Sequence, residues 1–189
     1  MKRIWEAQRR GFSIPELLLA ISIISLFASI IMFSVRRARG SSRDANRLAG
    51  LLQLQVAIEF YYSQNGVYPS PCSSTAGWAG ANLTYGGCVT NYIQGLTPTY
   101  ISVLPLDPGG YGGVNFGYIY STFNSGQDYK LMAYGVLENV TMNPGDKYFR
   151  CPTTCDSGTY PKCYGPPVTN FDGNVPKTYA VYSPGAACQ

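Results

Sequence analysis

Residues 12 to 35, FSIPELLLAISIISLFASIIMFSV, form a run of 24 positions with one charge, Glu16. As a helix rising about 1.5 Å per residue the run reaches about 36 Å, enough to cross the hydrocarbon layer of a bilayer. Polar and apolar residues then mix. LAGLLQLQVAIEFYY, from Leu48 to Tyr62, keeps an apolar majority, with Leu48, Leu51, Leu52, Ile58 and Tyr62 on one helical face interrupted by Gln55 and Glu59. Helix is expected as far as Asn65-Gly66, where glycine suits a helix end, with Pro69 following. Further on the period shortens to two: Phe116 to Phe123 and Tyr129 to Val136 alternate as strands around a turn at Asn124 to Asp128. The expected fold class is α+β. A long N-terminal helix, its first half transmembrane, packs on a small antiparallel sheet whose loops are stapled by disulfides.

Composition sharpens this picture. The 21 Gly, 13 Pro and 16 Tyr concentrate after residue 60, where loops and short aromatic strands are expected. Histidine is absent, which removes the commonest general base and metal ligand and argues against hydrolytic or zinc chemistry. A non-catalytic protein with neither cofactor nor metal is expected. Residues 1–47 hold nine Lys/Arg against three acids and the remainder five against seven, so the remainder is slightly acidic and does not read as a nucleic-acid-binding surface.

Cys72, Cys88, Cys151, Cys155, Cys163 and Cys188 all follow the helical part. An even number in a Gly/Pro/Tyr-rich region reads as a disulfide framework in an oxidising compartment, and Cys72 with Cys88 is the local pairing expected. Cys151 and Cys155 are one residue further apart than a redox CxxC pair, and a redox enzyme built on them would require a reactive thiol.

Lys2, Arg3, Arg9 and Arg10 precede the apolar run, while Arg36, Arg37, Arg39, Arg43 and Arg47 follow it, so cation counting does not orient the segment. The cysteines do, placing the following domain outside the cytoplasm. Arg36, Arg39, Arg43 and Arg47 recur at helical spacing and form a basic stripe, with Asp44 off it. Such a stripe suits lipid phosphates, acids of a neighbouring subunit, or DNA. Ser22, Ser25 and Ser29 make a small-residue stripe suited to close helix approach, or simply bond their own backbone. A carboxylate within lipid costs at least a few kcal/mol, so Glu16 calls for a partner or a place near the headgroups; the first turn after Pro15 also suits it through the helix dipole.

The basic leader MKRIWEAQRRG ending at Gly11, followed by Phe12, Ser-Ile-Pro-Glu and the apolar run, resembles the class III signal of bacterial type IV prepilins. RDANRLAGLLQLQVAIEFYYSQNGVYP is similar to the second half of the long helix in pilins and in type II secretion pseudopilins, and LPLDP with the strands after it looks like their head. The resemblance implies a leader at 1–11, a transmembrane and assembly helix at 12–35, its continuation at 36–64, and an extracytoplasmic head at 65–189 with a Cys-rich end. It implies cleavage between Gly11 and Phe12 by prepilin peptidase and N-methylation of Phe12. Glu16 would meet the terminal amine of a neighbouring subunit and set the axial register.

Its partners would be copies of itself in a helical filament, the peptidase, the assembly platform with its ATPase, and the inner membrane before assembly, with DNA or a surface ligand as a further contact. The alternative within the family is a pseudopilin. The calcium-loop ending of the major pseudopilin is replaced here by Gly135-Val-Leu-Glu-Asn139, so calcium is not carried over; Asp107, Glu138 and Asp146 could supply oxygen ligands, but scattered acids in turns are usually just solvated. From another class, an uncleaved single-pass anchored binding protein would tolerate loss of Glu16 or of the Gly11–Phe12 junction.

Overall fold

A computed structural model describes residues 12–72, 78–80, 88, 91–109, 117–141, 146–148 and 177–186. The leader with Gly11, and Cys151, Cys155, Cys163 and Cys188, lie outside them. Ile14–Asn65 form one helix, α1, of 52 residues, and the chain divides into two compact units, Met1–Arg39 and Gly40–Gln189.

In the first unit every described side chain from Phe12 to Arg39 is exposed. The apolar surface runs all round the helix instead of along one stripe, which is the pattern of a helix made for an apolar surrounding. The segment is long and apolar enough to cross a membrane.

In the second unit, Gly40, Asp44, Arg47, Leu51, Leu54 and Ile58 fall three or four residues apart and are buried, with Gly50 and Ala57 beside them. Of the face expected from sequence, Leu51 and Ile58 lie at its centre, while Leu48, Leu52 and Tyr62 form its margin. The helix ends where glycine was expected. Gly66 has φ +71°, and its N–H donates to the carbonyl of Tyr62 at 2.8 Å, satisfying an end carbonyl that the helix leaves unpaired.

The sheet has four antiparallel strands in the order β1 (Ala79–Gly80), β2 (Gly117–Phe123), β3 (Asp128–Tyr134) and β4 (Tyr179–Tyr182). The β2–β3 hairpin matches the expected strands within a residue or two, and Asn124, Ser125 and Gly126 turn it with positive φ. Alternation separates two faces cleanly. Tyr118 and Tyr120 of β2, Tyr129, Leu131 and Ala133 of β3, and Tyr179 and Val181 of β4 join the helix residues in the main core. Ile119, Met132, Tyr134 and Ala180 point the other way and form a second buried cluster with Trp78.

Tyrosines thus fill the place that aliphatic residues usually take, and their hydroxyls need partners once buried. Those of Tyr92 and Tyr120 donate to the carbonyls of Pro105 and Pro69, each at 2.8 Å, and that of Tyr118 to the carbonyl of Arg47 at 3.1 Å. Tyr129 is the exception, its hydroxyl buried without a hydrogen-bond partner among the described residues. The expected staple is present: Cys72 is bonded to Cys88 across a separation of 16 residues.

Gly50 packs against β2 with no room for a side chain, since a Cβ there would lie 2.6 Å from the Tyr118 hydroxyl. Tyr118 is buried and has no room to retreat. Gly50→Ala should therefore destabilise the protein by about 1–3 kcal/mol despite its better helix propensity. Adding Tyr118→Phe, which removes the crowding oxygen, should recover part of the loss. Thermal unfolding of the full chain in detergent, followed by near-ultraviolet circular dichroism, checks both steps.

Candidate functional site

Two groups of residues concentrate the chemistry of the described chain. The first is the start of α1, which precedes the wholly exposed apolar stretch. Ser13 stands just outside the helix, and the Glu16 carboxylate accepts hydrogen bonds from its backbone N–H at 2.9 Å and its hydroxyl at 2.8 Å. A carboxylate three residues inside a helix reaching back to the N–H of the cap residue is one half of a capping box. It satisfies a donor that the helix cannot, and it places the negative charge at the positive end of the helix dipole. Glu16 thus has a partner within its own chain. The S-x-x-E spacing ahead of an apolar run was the available sequence signal for this cap.

Phe12, the residue after the expected cleavage point, is 90% exposed. The hydroxyls of Ser22, Ser25 and Ser29 each donate at 2.7 Å to the carbonyls of Leu19, Ile21 and Leu26. Their polar groups are satisfied inside one helix, as the backbone-bonding alternative requires.

The second group lies within the second unit, Gly40–Gln189, called the head from here on, on the buried face of α1. Asp44 and Arg47, one helical turn apart, form an ion pair at 2.8 Å with only 1% and 2% of each residue exposed. The remaining capacity of Asp44 goes to backbone: the N–H groups of Glu138, Asn139 and Val140 donate to its carboxylate at 3.0, 2.9 and 3.3 Å. Arg47 grips Asp107 with two nitrogens, Nε at 2.7 Å and Nη2 at 3.0 Å, and reaches Glu138 through Nη1 at 3.0 Å. This forked geometry uses the guanidinium fully. Arg43 binds the outer side of Glu138, with Nε at 2.6 Å and Nη2 against the second oxygen. Gly40 leaves room for the same loop, because a Cβ there would meet the Asn139 side chain.

The basic stripe expected from sequence is therefore divided. Arg36 and Arg39 are exposed, whereas Arg43 and Arg47 are engaged with carboxylates of their own chain. Asp44, expected to lie off the stripe, is the buried partner of Arg47, because residues 44 and 47 both fall on the core face marked by Gly40, Leu51, Leu54 and Ile58. Asp107 and Glu138, two of the three oxygen ligands weighed for calcium, hold Arg47 instead. Among the described residues no group of three acidic, cysteine or histidine side chains could hold a metal ion.

Electrostatics follow the geometry. Hydrogen bonding to Arg43, opposed by burial and reinforced by Arg47, holds the Glu138 carboxyl down at about 2. Burial would lower the pKa of Arg47, but its hydrogen bonds to Asp107 and Glu138 outweigh this and raise it. Acid that protonates Glu138 thus removes the anion shared by Arg43 and Arg47.

Removing Arg47 takes away the cation that pairs with both Asp44 and Asp107. Arg47→Ala should destabilise the head by about 3–5 kcal/mol, while Arg43→Ala, which breaks a solvent-screened pair, should cost far less. Equal losses in chemical denaturation would contradict this ordering. Glu138 has a folded pKa below its usual value, so its stabilising contribution is complete above about pH 4.5 and is lost as pH falls toward about 2. Glu138→Gln should lower the melting temperature at neutral pH, where that contribution is present, and flatten its fall on the acid side.

No family model, curated protein or solved structure matches this chain, which leaves its own residues to carry any functional conclusion.

Proposed function

We propose that the chain is a structural subunit of a type IV pilus-like filament, anchored in the inner membrane through residues 12–35 before assembly and polymerised through the same helix afterwards. The observation that carries the reading is the apolar surface exposed on every side of α1 from Ile14 to Val35. At about 1.5–3 kcal/mol for each large apolar side chain, leaving it in water would forfeit some tens of kcal/mol. Lipid covers such a surface first, and the equivalent helices of other copies cover it in a filament. The leader ending at Gly11, the Phe12 junction and Glu16 support the filament over a plain anchor through their likeness to prepilins. The role is architectural, with no catalytic step assigned to any residue.

The Ser13–Glu16 cap favours one second reading, an uncleaved single-pass anchored protein in which Glu16 does no more than close its own helix. Glutamine serves in a capping box but carries no charge. Glu16→Gln should therefore keep the cap, leave processing intact, and sharply reduce filaments if the acid pairs with the terminal amine of a neighbouring subunit. Mass spectrometry of filaments sheared from cells expressing each form checks both points. An N-methylated Phe12 terminus in the wild type with few filaments from the variant is the expected result. A chain confined to membranes with residues 1–11 intact would establish the anchored reading instead, and abundant normal filaments from the variant would remove the charge pair.

A further inference from the structure

The division of the four arginines assigns them different partners. Arg43 and Arg47 face Asp44, Asp107 and Glu138 within the head, so their charge is matched locally. Arg36 and Arg39 are exposed, three residues apart on one side of α1, and directly follow the last residue of the apolar run, Val35. A helix from Ile14 to Val35 rises about 33 Å, close to the thickness of a bilayer's hydrocarbon layer, so the next turn falls at the level of the headgroups. Long arginine side chains there lay their stems on the apolar boundary and offer their guanidiniums to phosphate.

We propose that Arg36 and Arg39 form a binding site for the headgroup phosphate of anionic lipid, which holds the helix at a fixed depth. The inference rests on the membrane-anchored stage of the function proposed above. Lipid is favoured over DNA because the two cations directly follow the apolar segment, while Arg43 and Arg47, which would continue the stripe, are already paired. A duplex bound by a protein rewards a longer row of cations along its backbone.

The test uses the full chain reconstituted in mixed phosphatidylcholine and phosphatidylglycerol vesicles, with spin-labelled lipids reporting which headgroup is held at the protein surface. The wild type should prefer phosphatidylglycerol by a factor on the order of five for each cation at low salt, and the preference should collapse in high salt. Arg36→Gln with Arg39→Gln should lower it by about that factor for each cation removed, leaving the smaller preference due to Arg37 and to the cations ahead of the apolar run. Lys147→Gln with Lys177→Gln, which removes the same charge from exposed positions of the head, should leave it intact.

Alkaline extraction of the same vesicles separates the possible failures. Release of the wild-type chain would overturn the membrane-anchored reading and this site together. Retention with no preference, or with a preference unchanged in the arginine variant, would overturn the site alone. Duplex DNA bound by the wild type and lost in the arginine variant, with no lipid preference in either, would transfer the two cations to a polyanion and likewise overturn it.

Discussion

The buried pair of Asp44 and Arg47 is the constraint around which the head is organised. Two charges removed from water gain little net stability over apolar residues of similar size, since desolvation offsets most of their attraction. What they impose is position. Asp44 accepts from three consecutive backbone N–H groups and Arg47 holds Asp107 in a two-point grip, so the loop after β3 and the loop ahead of β2 each have one satisfactory place on the helix. Any slip of the helix by a turn would leave buried charge unpaired, at a cost of several kcal/mol.

That constraint explains the unusual composition of this stretch of helix. Gly40 and Gly50 are poor helix formers, yet each is where another part of the head comes too close for a side chain, at Asn139 and at the Tyr118 hydroxyl. Between them the core face carries charged residues, and apolar packing takes over from Leu51. The helix therefore changes the means by which it holds its surroundings: side chains with no cover in the chain itself up to Val35, ionic contacts from residue 43 to 47, and apolar contacts beyond.

Much of this was legible in the sequence because it depends on period. The continuous apolar run, the stop at Asn65-Gly66, the hairpin and the α+β class follow from spacing that any tertiary setting would respect. The pairing of Cys72 with Cys88 was also within reach, being the short local closure. The ion cluster was not. Asp107 and Glu138 are 60 and 91 positions from Arg47, and nothing local distinguishes them from solvated turn acids. Arg43 and Arg47 continued a cationic spacing that pointed outward, and only the burial of the adjacent helix face turns them to the head. The Ser13–Glu16 cap was encoded in the S-x-x-E spacing, but the same residues carry the resemblance to a prepilin signal, which masked the local role.

The tyrosine-built core has a consequence for cooperativity. An aliphatic core side chain ends in contacts that tolerate sliding, whereas the phenols of Tyr92, Tyr118 and Tyr120 end in directional bonds to the main chain at Pro105, Arg47 and Pro69. Each ring joins the interior to the backbone at its edge. Those connecting segments therefore cannot open without either unpairing a buried hydroxyl or withdrawing its ring, and their exchange protection is tied to that of the sheet. A region with the composition of loop behaves thermodynamically as part of the folding unit.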